Sequence, residues 1–551
     1  MLDTTASWLR RSRRGFLGWA FAVGAMVTAV SAAFLAEAKT PADAARFGAS
    51  LQAFALAAKP LFGEPVALDT AGGFLHWRIL SLLPLVVGTY VILLVTGMTV
   101  REERRGSVDV VLSTPLGRAR YMVERGMAVL AVCSSIGLLG LLLGIAGANL
   151  LGADLSLQAG LLAGLDLALI LGVWGAAAAL AGQLTLSRTA AGAAGGLFMV
   201  VTHLLANTAG IAKGWEAVAR FLPTGAYHLS RPLVPGGSTD PAGLLTLAGE
   251  ALLLWALATA LFARRDLNVS RVNRAARRSE RRNQTARGAG TLSANPLLRG
   301  PFARDAWALR GVTLGWAAGL AASLVFIVSL EPTLRAPLEQ MLETAGPFAR
   351  LFAGNAAAPG FLVGVVFDVD LPLALAVFAV LQAGRWAGEV EEGLLDLDLS
   401  TPLGRARLLI SRLGAVLVAG AAAVLVAWLA ALITGGVAGV PLAGGDLLAA
   451  ALAALLVLLV YLGIGLAAAA WRRPSWAAPT AGALALVDFV YGIVSPALQL
   501  PSWTRGLSVF ARYGNPAVEG IRWSDLGVLV LLGAALTGLA LVGFQRRDLP
   551  G

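Results

Sequence analysis

Ser113-Thr114-Pro115-Leu116-Gly117-Arg118-Ala119-Arg120 occurs twice in this chain, the second time as Ser400-Thr401-Pro402-Leu403-Gly404-Arg405-Ala406-Arg407. The displacement is 287 positions (113 to 400), and it also carries Gly106 onto Gly393, Asp109 onto Asp396 and Arg125 onto Arg412. Each half closes alike, with Phe262-Ala263-Arg264-Arg265-Asp266-Leu267 and Phe544-Gln545-Arg546-Arg547-Asp548-Leu549. Near the start of each half, Leu17-Gly18-Trp19-Ala20 returns as Leu314-Gly315-Trp316-Ala317. An eight-residue identity at half the chain length marks a duplicated unit rather than a chance match.

Around the repeat the sequence is apolar. The chain has 551 residues, 57% of them hydrophobic and only 14% charged, with a mean hydropathy of +0.75. Soluble domains carry about 25% charged residues. The apolar residues run in blocks of about 20, the length that crosses a bilayer as a helix. Twelve such spans are expected, six per half: 15–35, 76–100, 127–150, 157–185, 189–211 and 244–262, then 311–330, 360–384, 413–437, 446–471, 476–496 and 526–544. The fold class is therefore an all-α polytopic membrane protein. Residues 1–267 form one six-helix half, 268–300 a basic linker and 301–551 the second half. An even number of spans gives both halves the same orientation, so the expected symmetry is a pseudo-two-fold along the membrane normal. One cysteine, Cys133, and three histidines exclude a disulfide scaffold and a structural metal framework.

Arginine placement sets the orientation. Arg10, Arg11, Arg13 and Arg14 precede the first span, Arg101, Arg104, Arg105, Arg118 and Arg120 follow the second, and Arg472 and Arg473 separate the tenth from the eleventh. These fall on one side, which is expected to be cytoplasmic, with both termini inside a bacterial inner membrane. Ser12-Arg13-Arg14-Gly15-Phe16-Leu17 and Ala36-Glu37-Ala38 imitate an export signal and its cleavage site. The apolar stretch is long for a signal, and its Leu-Gly-Trp-Ala recurs deep in the chain, so a retained first span is expected. Twelve arginines against three acids between Arg264 and Arg310 give the linker region a net charge of +9. It has no nucleic-acid-binding fold signature and suits anionic headgroups, at about 1 kcal/mol per basic residue near the surface.

The repeated element follows the second span of each half. It starts acidic (Glu102 and Glu103; Glu389, Glu391 and Glu392), passes a glycine, and runs through apolar and acidic residues to Ser-Thr-Pro. Acidic residues favour a helix N-terminus, and Pro115 or Pro402 stops the helix. So many carboxylates cannot enter lipid. The element must lie at the membrane surface or in a partner's groove. Its copies differ: 101–109 balances three arginines against three acids, whereas 388–398 holds five acids and no base.

This arrangement resembles the type-two ABC exporter permeases, and the fusion of two halves in one chain is similar to the polyketide-antibiotic exporter permeases. The resemblance implies that the element is a coupling helix docking into a separate ABC ATPase, present in two copies. It implies docking residues Glu102, Glu103, Gly106 and Asp109 in the first half, and Glu389, Glu391, Glu392, Gly393 and Asp396 in the second. Elbow helices are implied at 8–14 and 301–310, with amphipathic small molecules such as antibiotics as cargo. The chain itself offers no ATP chemistry: a Walker loop needs a lysine after glycines, and none of Lys39, Lys59 and Lys213 stands in one. No cofactor is expected in this chain; ATP and magnesium belong on the partner.

Polar residues at membrane depth mark a path or an interhelical contact. His203 and Asn207 share a face of the fifth span, and Asp488 and Tyr491 a face of the eleventh. Thr89, Tyr90, Thr96 and Gln382 sit on the second span of their halves, and with those four residues they are the path candidates. Asp166 and Glu250 are taken as packing residues. Arg78 near the outer end of the second span, and Asp368 and Asp370 near that of the eighth, are candidates for an outer gate. Two other classes compete with an ATP-driven exporter: a proton-coupled drug transporter with Asp488 as carrier, and a non-transporting membrane scaffold that binds an ATPase. Neither a proton relay nor a topological loop explains an acidic surface motif present twice.

Overall fold

We describe the protein from a computed structural model at residues 3–207, 215–265, 300–344, 360–391, 395, 404–497 and 502–546. Every regular element among these residues is helical. The chain forms two compact units, Met1–Arg287 and Gly288–Gly551.

In the first unit the long helices are α1 (Asp3–Glu37), α3 (Ala71–Val100), α6 (Arg118–Leu150), α7 (Leu157–Thr185), α8 (Arg188–Asn207) and α10 (Pro241–Arg264). Shorter helices connect them: α2 (Pro41–Ala57), α4 (Glu102–Arg105), α5 (Ser107–Leu112) and α9 (Pro223–His228). The second unit has α11 (Pro301–Thr344), α12 (Phe361–Val390), α13 (Arg405–Ala438), α14 (Gly444–Trp471), α15 (Ala477–Ala497), α16 (Val509–Tyr513) and α17 (Trp523–Arg546). Eleven helices among the described residues are long and apolar enough to cross a membrane. The remaining expected span, 476–496, is the 21-residue helix α15.

Local chemistry fixes the ends. Thr40, Ser156 and Asp240 each cap a helix by accepting from backbone N–H groups two or three residues on, and Pro41, Pro223 and Pro241 occupy first-turn positions. Gly117 and Gly404, equivalent in the repeat, both stand extended at the N-cap of the third long helix.

Packing repeats as the sequence does. In each unit the first long helix lies on the third (α1 on α6, α11 on α13), and the fourth packs on the second, fifth and sixth. Close approach needs small residues, because lipid gives helices no hydrophobic reason to associate. A side chain at Gly137 would meet the Gly164 carbonyl oxygen at 2.2 Å, and one at Gly144 would meet Val27 at 2.6 Å. Away from these seams apolar side chains face outward, as bilayer contact requires; Leu245 is 73% and Leu252 72% exposed.

Two expectations change. The implied elbow helices at 8–14 and 301–310 are the first turns of the unbroken α1 and α11. Neither stretch holds an internal proline or a positive-φ glycine to turn the chain. Thr5 Oγ1 donates to the Glu124 carbonyl, tying that first turn to α6. In the first half the acidic element, expected as one helix, is two, because Gly106 adopts a left-handed conformation (φ +79°) between α4 and α5.

Candidate functional site

The element after α3 is held from three sides. Arg125 Nη2 lies 2.6 Å from Glu102 Oε2, and the Tyr121 hydroxyl donates to the same oxygen at 3.3 Å. The Arg125 guanidinium rests over the Tyr121 ring, 5.0 Å from its centre. Glu103 pairs with Arg265 at the end of α10, and Arg118 Nη1 donates 2.7 Å to the Arg265 carbonyl. The acidic segment is thereby bound to the helix that follows it and to the last helix of its half.

The second half repeats the central ion pair at equivalent positions, without counterparts of Tyr121 or Glu103, which the displacement carries onto Leu408 and Val390. Glu389, which the 287-residue displacement pairs with Glu102, forms an ion pair with Arg412, the counterpart of Arg125. Arg405, the counterpart of Arg118, donates to the Phe544 and Gln545 carbonyls at 3.4 and 3.2 Å. The surroundings differ: Glu389 also accepts from Arg385 at 3.2 Å, and Asp305 of α11 accepts from Ser411 at 3.4 Å. A cavity of about 50 Å³ beside them is lined by Asp305, Gln382, Arg385, Glu389 and Arg412.

The docking residues named from the sequence therefore divide. Glu102, Glu103 and Glu389 sit in ion pairs within their own half, where each carboxylate meets an arginine of another part of the chain. Gly106 is the left-handed joint. Asp109 stands exposed on α5 beside Val110, which is 71% exposed, while Val108 on the opposite face is 1% exposed. The exposed rim continues through Ser113, Thr114 and Pro115. Val110 carries no charge to mark it; its signal in the sequence is the alternation Val108-Asp109-Val110. Glu392, Gly393 and Asp396 lie outside the described residues, as does the Glu391 side chain.

The polar residues at membrane depth fall into separate settings. Asn207 Nδ2 lies 3.1 Å from His203 Nε2, with both side chains buried. Asp488 Oδ2 accepts from the Tyr461 hydroxyl at 2.6 Å and from the Val509 and Phe510 amides at 2.9 and 3.3 Å, so it caps α16. Tyr491 shares a hydrogen bond with Thr504. Thr89 and Thr96 bond back to carbonyls of their own helix, and Tyr90 packs 5.3 Å from Trp19. Of the gate candidates, Asp368 is buried and accepts from the Ala517 and Val518 amides at 2.8 and 3.2 Å. Asp370 is exposed, and Arg78 lies over the Phe62 ring. Asp166 is buried, 2% exposed, beside Ser230.

A second repeated anchor was not visible in the sequence. The Tyr227 hydroxyl donates to the Leu80 carbonyl at 3.0 Å, and the Tyr513 hydroxyl to Phe367 at 2.9 Å. Each accepting carbonyl lies in a π-helical turn, His76–Leu80 or Val366–Asp370, where the widened turn frees a carbonyl for an outside donor. Burial pushes both phenols up, which keeps them protonated donors.

Comparison with known families matches the two halves separately. Residues 9–267 match the family model described as ABC-2 family transporter protein. Residues 298–545 match that of the multidrug efflux system permease Rv1217c, C-terminal domain. No curated protein matches the chain.

Proposed function

From the premise that this chain belongs to the ABC-2 type permeases and is a multi-pass transport subunit, we propose that it exports amphipathic small molecules, energised by a separate ABC ATPase. An ABC ATPase partner is general to the family. Two copies would dock here, one at each coupling element, carrying the ATP and magnesium that this chain has no loop to hold. The elements and both termini would then face the cytoplasm across the inner membrane. The match of the second half to a multidrug efflux permease supports drug-like cargo.

One observation carries the coupling role: the Glu102–Arg125 and Glu389–Arg412 pairs occupy equivalent positions in the two halves. Such pairs do not anchor a loop that only sets topology. Held to α6 and α10, the first element transmits displacement to two helices at once, so closure of docked ATPases would move helices rather than flex a loop. The docking surface is the exposed face of residues 107–115, with Val110 as its apolar contact and the acids behind it as the brace.

Co-purification of the full chain with its cognate ATPase tests this. Val110→Asp should weaken association by about tenfold or more, as loss of a central apolar contact does, and leave the thermal midpoint of the chain unchanged. Association equal to wild type for Val110→Asp and Val110→Arg would remove this face from the interface.

A further inference from the structure

The chain's only histidines are His76, His203 and His228, and the first half gathers all three at the end of its bundle away from the coupling element. They come from α3, α8 and α9. His203 is bonded to Asn207. His76 is 8% and Asn207 5% exposed, yet among the described residues His76 Nδ1 and Asn207 Oδ1 have no hydrogen-bond partner. Both residues line a cavity of about 360 Å³, together with His228.

Three features point to a ligand. Buried polar atoms without partners are rare, because each has lost water and gained nothing. The cavity wall carries Lys59, Arg220 and Arg231 against a single carboxylate, Glu64, which lies 3.2 Å from Arg231. And Gly63, at φ +73°, keeps the space open: a Cβ there would stand 2.9 Å from the His228 ring and 3.5 Å from Asn207 Oδ1. No group of three His, Cys, Asp or Glu among the described residues is placed to hold a metal ion.

We propose that this cavity binds a carboxylate or phosphate group of a small anionic ligand. Lys59, Arg220 and Arg231 meet its charge, and His76 and Asn207 supply directional hydrogen bonds. His76 donates from Nδ1 in that tautomer. Turning the Asn207 amide over presents Nδ2–H to the cavity and lets Oδ1 accept from His203 Nε2–H, an exchange that costs no contact. The volume lies within the range of small-molecule pockets and exceeds what an inorganic anion fills, leaving room for an organic acid or a lipid headgroup. The site is independent of the coupling role.

The test uses the full chain in phosphatidylcholine nanodiscs, titrated with radiolabelled inorganic phosphate and with acetate. A parallel preparation contains phosphatidylglycerol, and native mass spectrometry counts the lipids retained. Saturable binding of either anion identifies a soluble ligand; one phosphatidylglycerol retained per chain identifies a headgroup. In either case Arg220→Gln and Asn207→Leu should each weaken binding by about tenfold, the loss of one charge-assisted or buried hydrogen bond. Arg220 is exposed, so its variant keeps the wild-type thermal midpoint even if Asn207→Leu does not fold. Wild-type chain that binds none of the three probes saturably, or binding unchanged in Arg220→Gln, overturns the proposal.

Discussion

The ion-pair brace of the first acidic element can be loosened one charge at a time. In the first half the Arg125 side chain is 8% exposed and that of Glu102 30%. Glu102→Gln keeps the shape and one acceptor but leaves the guanidinium without a counter-charge. Breaking a fully buried pair costs about 3–5 kcal/mol and an exposed pair at most about 1, so this half-shielded pair is worth about 2 kcal/mol. If the element opens locally from α6, that loss multiplies the open population by about 30. Val108, 1% exposed on the inner face of α5, reports the opening when replaced by cysteine. The one native thiol, Cys133, is buried and gives no background. Thiol labelling of Val108→Cys should therefore accelerate by about 30-fold in the Glu102→Gln background. Val110→Cys, exposed already, should label at the same rate in both. Adding Arg125→Met removes the stranded charge and should bring the Val108→Cys rate back toward wild type. A change below about threefold at position 108, or an equal change at 110, would falsify the bracing role.

Asp488→Ala removes the acceptor shared by Tyr461, Val509 and Phe510, and should destabilise the second half by about 2 kcal/mol, read as a lower thermal midpoint. Asp488→Asn retains a carbonyl acceptor and should stay close to wild type, with ATP-dependent export intact; loss of export in that variant with ATPase association preserved would favour a proton carrier. Burial, with His76, His203 and Arg231 nearby, pushes His228 well below its ordinary value of 6.5. The unfolded chain therefore binds this proton first, and the stability is fully present above pH 6.5 and declines as pH falls below it. Thermal melts should show wild type losing more between pH 7.5 and 5.5 than His228→Asn does; an equal loss would assign the pH dependence elsewhere.

Helix positions and the duplication were legible because both are one-dimensional signals: apolar blocks of bilayer length, and an eight-residue identity. The acidic character of Glu102, Glu103 and Glu389 was legible too, but not its use. An arginine 23 residues on gives no local sign that it will fold back onto the acid, so the ion pairs were not legible. Gly106 stood in the motif without revealing that it would split the helix. The Tyr227 and Tyr513 anchors depend on carbonyls freed by π-helical turns, which no side-chain pattern announces. Likewise His76, His203 and His228 lie on three elements, and only tertiary packing brings them together.

The histidine cluster exists once, in a chain that otherwise says most things twice. In a transporter assembled from two identical subunits, every substitution appears in both, and a ligand cavity evolved in one is forced upon the other. Covalent fusion lifts that constraint: after duplication each copy drifts under its own selection. Position 488 of the fifth helix in the second half holds a carboxylate, where the corresponding stretch of the first half offers His203 and Asn207. What the copies still share, the brace and the tyrosine anchors, is the inherited machinery. What they no longer share, the histidine cluster among it, is where the two halves are free to differ.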